Sequence, residues 1–322
     1  MKKFIIGSRQ SPLALTQTNL VVEAIAKKFP EIKFEIKPII TKGDKVKTQP
    51  LRDVYGDEGK GAFTIELSQK LLDKEFDFVV HSMKDVAGNY KNPQLTFAAY
   101  IERSSPFDAL ITKNADYKSL KDLPKNTKIG TVSLRRKAAI LKENPNLIVE
   151  NLRGTVQTRI QKLHENFDAI IMAEAAIIRS GENLNLSGLY INKISDDIML
   201  PAAAQGAIGI ECRENDTELK NILSQINHQP TYYTTECERA FLAEINGNCF
   251  SIIGCLAEIS GDVITLKANI SDESGKYLFS LTQSDKDTNY KKLGTQLAKN
   301  LKQKITSEMG NDFLKEVLHY EC

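Results

Sequence analysis

The chain has 322 residues, 41% of them hydrophobic, which is more than one buried core usually serves and calls for two or three domains. Lys+Arg 43 against Asp+Glu 41 leaves a net charge of +2, too balanced for a broad nucleic-acid or anionic-membrane surface, so any basic site must be local. Five irregularly spaced cysteines, four scattered histidines and no apolar run of export or membrane-spanning length argue for free thiols, no metal site and a cytoplasmic protein.

Residues 3–7 read as a strand, 12–28 as a helix with Pro12 in its first turn, and 33–40 as a second strand, a β-α-β opening. The charged, Gly-bearing stretch 41–61 is too long for an ordinary connection and reads as a lid or binding loop. A helix over 63–74 and a strand from Asp77 to His81 follow. After Ser104-Ser105-Pro106 the alternation restarts, with strands near 107–112, 127–131, 147–151 and 168–173 between helices over 133–143, 155–165 and 173–180. Two α/β domains with largely parallel, helix-covered sheets are expected, with ligands at the carboxyl ends of the strands and a cleft between the domains. Beyond about 228 a helix (232–246) precedes strands over 255–260, 263–270 and 277–283 and a further helix from 288, the pattern of a small α+β domain.

Only ten of the 43 basic residues are Arg, and none follows Arg239. A guanidinium grips carboxylate or phosphate through two parallel hydrogen bonds, which Lys cannot reproduce, so each Arg is informative. In Gly130-Thr-Val-Ser-Leu-Arg-Arg136 a strand ends and a helix capped by Ser133 begins, yet two cations sit at the positive end of its dipole. An anionic ligand between the two guanidiniums would remove that conflict, although a solvated helix start is the plainer alternative. Asn151-Leu-Arg-Gly-Thr-Val-Gln-Thr-Arg159 repeats the arrangement, and two such forks suit a ligand with several carboxylates or phosphates. His81-Ser-Met-Lys-Asp-Val86 puts Ser82, Lys84 and Asp85 at a strand's carboxyl end; Asp85 could stabilise positive charge there, or merely pair with Lys84 in a polar turn. His81 itself reads as a structural ring. Cys249 follows a helix in a Gly-bearing loop, the setting of an accessible thiol, whereas Cys212 and Cys255 lie in apolar runs. Gly56-Asp-Glu-Gly-Lys-Gly61 has the spacing of neither a dinucleotide fingerprint nor a P-loop.

Taken together, these segments resemble the porphobilinogen deaminase family. The likeness is carried by Ser8-Arg-Gln-Ser-Pro-Leu-Ala-Leu15, Gly59-Lys-Gly-Ala-Phe63, His81-Ser-Met-Lys-Asp-Val86, Gly130-Thr-Val-Ser-Leu-Arg-Arg136, Asn151-Leu-Arg-Gly154, Pro201-Ala-Ala-Ala-Gln-Gly-Ala-Ile-Gly-Ile-Glu211 and Glu238-Arg-Ala-Phe241. It implies two domains similar to type II periplasmic binding proteins, over 1–103 with 203–226 and over 104–202, and a third α+β domain over 228–322 that carries the cofactor cysteine. It also implies a cytoplasmic monomer that joins four porphobilinogen molecules head to tail into a linear tetrapyrrole, through an electrophilic azafulvene formed as ammonia leaves. The cofactor is a dipyrromethane held by a thioether to Cys249. Carried over residue by residue, Asp85 is the catalytic carboxylate. Arg9, Ser11, Ser82, Lys84, Thr131, Ser133, Arg135, Arg136, Arg153, Gly154 and Arg159 hold cofactor and substrate carboxylates, Phe63 stacks near the pyrroles, and Gln205 and Gly206 line the cleft.

The sequence departs from that family's pattern at Val132, Thr155 and Ala87, and in the Phe-Ser-Ile-Ile-Gly run after Cys249, where Gly254 restores the register. Two rival readings use the same residues. A carboxylate-binding module explains the arginines and leaves Asp85 and Cys249 without a role, and a cysteine hydrolase built on Cys249 lacks an identifiable partner base.

Overall fold

The computed structural model describes residues 2–41, 64–246 and 251–318. Apart from Thr41, the expected lid lies outside them, as do Phe63 and Cys249. The chain opens with β1 (Lys3–Arg9), α1 (Pro12–Ala26) and β2 (Lys33–Ile39). Pro12 occupies the first turn of α1, and the Ser11 hydroxyl accepts from the Ala14 amide at 3.3 Å, so the helix starts where local chemistry dictates. Its buried positions Gln17, Val21 and Ile25 recur every four residues and face the sheet. Next come α2 (Ile65–Leu72), β3 (Phe78–Ser82) and β4 (Leu95–Tyr100).

A second run comprises β5 (Asp108–Thr112), β6 (Lys128–Gly130), α3 (Leu134–Glu143), β7 (Ile148–Glu150), α4 (Val156–Asn166), β8 (Ala169–Ala173), α5 (Glu174–Ser180) and β9 (Tyr190–Lys193). Then follow β10 (Ile208–Arg213), α6 (Thr217–Ser224), α7 (Gln229–Ile245), β11 (Ile253–Ser260), β12 (Val263–Ser271), β13 (Leu278–Lys286), α8 (Tyr290–Met309) and α9 (Asn311–Leu318). Among the described residues no helix is long and apolar enough to cross a membrane.

Three sheets result, ordered β2-β1-β3-β10-β4, β7-β6-β8-β5-β9 and β11-β12-β13. The largely parallel sheets expected from the alternation prove half parallel: β1 runs parallel to β2 and β3, but β10 is antiparallel to β3 and β4. The second sheet repeats this, with β6 parallel to β7 and β8 while β5 runs antiparallel to β8 and β9. The cause is the connection: β10 and β5 enter from chain crossovers between sheets and not through a helix packed on the same sheet. Helices cover both faces, so β5 and β8 are buried along their whole length, as their near-continuous apolar sequences require.

The third sheet is antiparallel, and Phe241 and Ile245 of α7 with Leu297, Leu301 and Ile305 of α8 bury its Leu266 and Ile270. Two crossovers, 101–107 and 194–207, join the first two sheets, and they touch. At Gly206 (φ +86°) a Cβ would stand 2.7 Å from the Ser105 carbonyl oxygen, so this approach admits only Gly. Glu238 of α7 pins both crossovers. Its buried carboxylate takes Arg103 bidentately at 2.8 and 3.0 Å, the Ala204 amide at 2.6 Å and, from β11, the Ala257 amide at 2.8 Å.

Candidate active site

The strand Phe78–Ser82 is apolar and buried, and at its carboxyl end Met83–Asp85 forms one tight turn with Met83 packed inward. That packing leaves Asp85 half-buried at the mouth. Arg9 ends the neighbouring β1, and its Nη1 stands 3.7 Å from Asp85 Oδ2. The Ser82 hydroxyl donates to Gln17 Oε1 of α1 at 2.8 Å. Arg9, Gln17, His81, Ser82 and Asp85 line a cavity of about 20 Å³. Ser11 accepts as the cap of α1, two residues past Arg9.

In the second sheet, Ser133 caps α3 by accepting from the Arg136 amide, and the Thr131 hydroxyl accepts from the Ser133 amide at 3.2 Å. The anion expected between Arg135 and Arg136 is present, and it belongs to the protein. Asp108, fully buried at the start of β5, accepts Arg135 Nη2 at 2.7 Å and Arg136 Nη2 and Nε at 2.7 and 3.2 Å. Burial alone would raise its carboxyl, but the two guanidiniums outweigh that and hold it well below the usual carboxylate range. Arg135 spends its other Nη on the Leu200 carbonyl at 2.5 Å. Leu200 and Pro201 in turn receive β11, whose Cys255 amide donates to Pro201 O at 2.9 Å. Arg135 thus braces the arginine segment against the strand that follows Cys249. A cavity of about 200 Å³ lies beyond it, between α3, residues 196–200 and β12–β13, away from Asp85.

Gln205 joins the two halves. Its Nε2 donates to Pro106 O at 2.8 Å and to Asp108 Oδ1 at 3.0 Å, while its Oε1 lies 3.5 Å from Lys84 Nζ. The backbone around it is held as well, since Arg179 of α5 donates to Gly206 O at 2.6 Å. At the second fork Thr155 caps α4, Gly154 adopts φ +127°, and Arg159 Nε donates to Gly154 O at 2.9 Å. Desolvation in the cleft lowers Lys84 to about 8, with Arg136 and Arg159 pushing the same way and Asp85 and Asp108 opposing. Lys84 is exposed as a residue, so the effect belongs to its ammonium end, which sits beside Gln205. Desolvation, Arg136 and Arg153 lower Arg159 to about 10, against the pull of Asp85. These groups therefore act on one another across the cleft. A concave site with several cations around the half-buried Asp85 carboxylate suits a ligand that brings several carboxylates of its own.

Arg9, Ser82, Lys84, Asp85, Arg136, Arg159 and Gln205 come together as the sequence suggests. Asp108, Gln17 and Arg179 were not singled out there. An acid opening an otherwise apolar strand, Phe107-Asp-Ala-Leu-Ile-Thr112, is the signal that could have found the first; a Gln on the buried stripe of α1 could have found the second. Among the described cysteines, Cys212, Cys237 and Cys255 are all buried free thiols; burial pushes Cys212 up to about 12 and raises the other two as well. Cys249 falls between the left-handed Asn246 that ends α7 and the start of β11.

Two family models match the chain: porphobilinogen deaminase, dipyromethane cofactor binding domain, over residues 4–221, and porphobilinogen deaminase, C-terminal domain, over residues 232–303. A porphobilinogen deaminase of Listeria innocua serovar 6a is 41% identical over 317 residues, 98% of each chain. One from Brevibacillus brevis is 40% identical, covering 99% of this chain and 98% of its own. Among solved structures, an ancestral arginine-binding protein bound to arginine aligns with 70% of this chain and 91% of its own at 19% identity and a TM-score of 0.37.

Proposed function

Because the chain belongs to the porphobilinogen deaminase family, we propose that Asp85 is the catalytic carboxylate of the reaction that defines it. That reaction deaminates four porphobilinogen molecules in turn, condenses them head to tail and releases the linear tetrapyrrole with water, which makes the protein a transferase. The observation that carries the assignment is the setting of Asp85, an acid at a strand end with Arg9 3.7 Å away and with Lys84 and Arg159 in electrostatic reach, those two cations facing Arg136 in turn.

When bound, the dipyrromethane supplies the nucleophilic pyrrole carbon on which the first unit is placed. Arg9, Lys84, Arg136, Arg153 and Arg159 hold the carboxylate arms of cofactor and substrate, while Ser11, Thr131, Ser133 and the backbone at Gly154 add neutral donors, and Ser82 joins them by turning its hydroxyl from Gln17 to the ligand. Phe63 stacks on a pyrrole, and Gln205 and Gly206 form the wall behind Lys84. Arg135 and Arg136 both bind Asp108, and Arg135 also donates to Leu200 O and Arg136 to Ile171 O, so the pair meets a carboxylate arm only with the guanidinium hydrogens that those bonds leave over. Asp85 offers negative charge to the substrate's pyrrole nitrogen as positive charge develops there, both when the amine leaves and when the next ring adds.

Cys249 is the thioether anchor, a reading supported by the burial that makes Cys212, Cys237 and Cys255 poor nucleophiles. We divide the chain into 1–103 with 203–226, 104–202 and 228–322, one sheet to each unit. Buried, unbridged thiols suit a reducing cytoplasm, and a cleft furnished by a single chain suits a monomer.

The test starts from protein purified from cells that make porphobilinogen. Intact mass should exceed the sequence mass by two linked pyrrole units, mapping to Cys249 and absent from Cys249→Ser. Asp85→Asn should stay folded and carry the adduct, yet lose about 100-fold or more in tetrapyrrole formation. An adduct on another cysteine, or near-normal turnover by a folded, loaded Asp85→Asn protein, would overturn the corresponding assignment.

A further inference from the structure

Behind the turn that presents Asp85 lies a second acid that the chemistry above does not use. Glu211 is fully buried on β10, opposite Val79 of β3 and Phe97 of β4. Burial pushes its carboxyl upward, but hydrogen bonds from His81, Tyr90 and Ser68 outweigh that and hold it below the usual carboxylate range. The three donors arrive from three elements. Ser68 Oγ of α2 donates to Oε2 at 2.9 Å, His81 Nε2 of β3 lies 3.1 Å from the same oxygen, and Tyr90 OH lies 2.7 Å from Oε1 and 3.0 Å from Ser68 Oγ. The His81 ring is set edge-on against Phe97, with centroids 5.8 Å apart.

The arrangement has leverage on Asp85. His81 precedes the catalytic turn and Tyr90 follows it, so one carboxylate ties down both flanks of residues 82–89. Ser68 adds the helix that the chain enters directly after the 41–61 stretch. A buried polar cluster of this kind is rarely the cheapest way to stabilise a core, because well-packed apolar residues do as well, whereas it fixes geometry through directed bonds.

We propose that Glu211 is a positioning residue: its carboxylate locks the flanks of the catalytic turn to α2 and β10 and so sets where the Asp85 carboxylate stands against Arg9. The proposal rests on the reading of Asp85 as the catalytic carboxylate. Glu211 acts through that turn and touches no substrate.

The experiment uses cofactor-loaded holoenzyme, with the mass of each variant verified and near-ultraviolet circular dichroism as the folding control. Glu211→Gln keeps the shape but cannot accept from all three donors; kcat for porphobilinogen should fall about tenfold while KM stays within about twofold. Tyr90→Phe, which spares the carboxylate, should lose about threefold in kcat and decides the matter should Glu211→Gln fail to fold. The discriminating arm repeats Glu211→Gln in an Asp85→Glu background. There the catalytic carboxylate is already displaced, and the added loss should shrink to about twofold or less. A folded, loaded Glu211→Gln enzyme with wild-type kcat, or the same tenfold loss in both backgrounds, overturns the proposal. Normal turnover by Asp85→Asn would instead overturn the reading of Asp85.

Discussion

Lys84 is the cation nearest in sequence to Asp85 and is discharged more easily than Arg159. Desolvation in the cleft lowers its ammonium to about 8, with Arg136 and Arg159 adding to the shift. The lowered value means the charged form is disfavoured: at neutral pH the group is still mostly protonated, and its charge is lost as pH rises through about 8. A carboxylate arm held by Lys84 should then bind more weakly. Steady-state kinetics should show KM for porphobilinogen climbing above pH 8 by about tenfold per pH unit at most, with kcat changing less. Lys84→Arg retains its charge and should flatten that limb, whatever it does to the absolute KM. A wild-type KM that stays level through this range would remove Lys84 from carboxylate binding. Arg159, lowered only to about 10, keeps its charge throughout.

Helix α3 would be poorly started without help from another element, because Arg135 and Arg136 sit in its first turn where the dipole is positive. Asp108 of β5 supplies the missing charge and, through Gln205, connects that helix start to both crossovers. Asp108→Asn should therefore cost about 3–5 kcal/mol in denaturant unfolding, since two buried guanidiniums lose their counter-ion, and the variant should purify with little or no dipyrromethane. An unchanged midpoint with full loading would relegate Asp108 to an incidental pair. This dependence also marks what the sequence could disclose. Local rules place α1, because Ser11, Pro12 and the spacing of Val21 and Ile25 all lie within one segment. They miss β4, whose Leu95-Thr-Phe-Ala-Ala-Tyr100 carries no clean alternation, β9, a short half-polar edge strand, and β10, whose pairing partners β3 and β4 lie more than a hundred residues back along the chain. The Arg135–Asp108 pair joins residues far apart along the chain, so the helix start advertises a missing anion without saying whether ligand or protein provides it. Asp85 and Lys84 were legible because strand ends are where such sheets put their chemistry. Glu211 appeared only as the last residue of the Pro201–Glu211 segment that carries the family likeness, with no role of its own, since its partners come from α2, β3 and the segment after Asp85.

Taken whole, the molecule is three sheets held at one buried junction, where Glu238 receives Arg103, Ala204 and Ala257 from three directions. The same crossovers that create this junction impose an order on synthesis. In the first sheet β10 lies between β3 and β4, which do not pair with each other, so until residues 208–213 leave the ribosome both strands keep an open edge. The second sheet has no such debt, because every strand in it falls between Asp108 and Lys193. At 5–20 residues per second the first sheet waits on the order of ten seconds for the strand that joins β3 to β4 while the second can close. We therefore expect the nascent chain to protect residues 108–193 from protease before residues 3–100, the reverse of their order of translation. Pulse proteolysis of ribosome-stalled chains ending near residue 240 and near residue 280 would reveal this, and earlier protection of the amino-terminal segment would refute it. During that interval the strand that leads into the Asp85 turn is an unfinished edge, so the wall of the cleft proposed to carry the chemistry is exposed to wrong pairing while the second sheet is already closed.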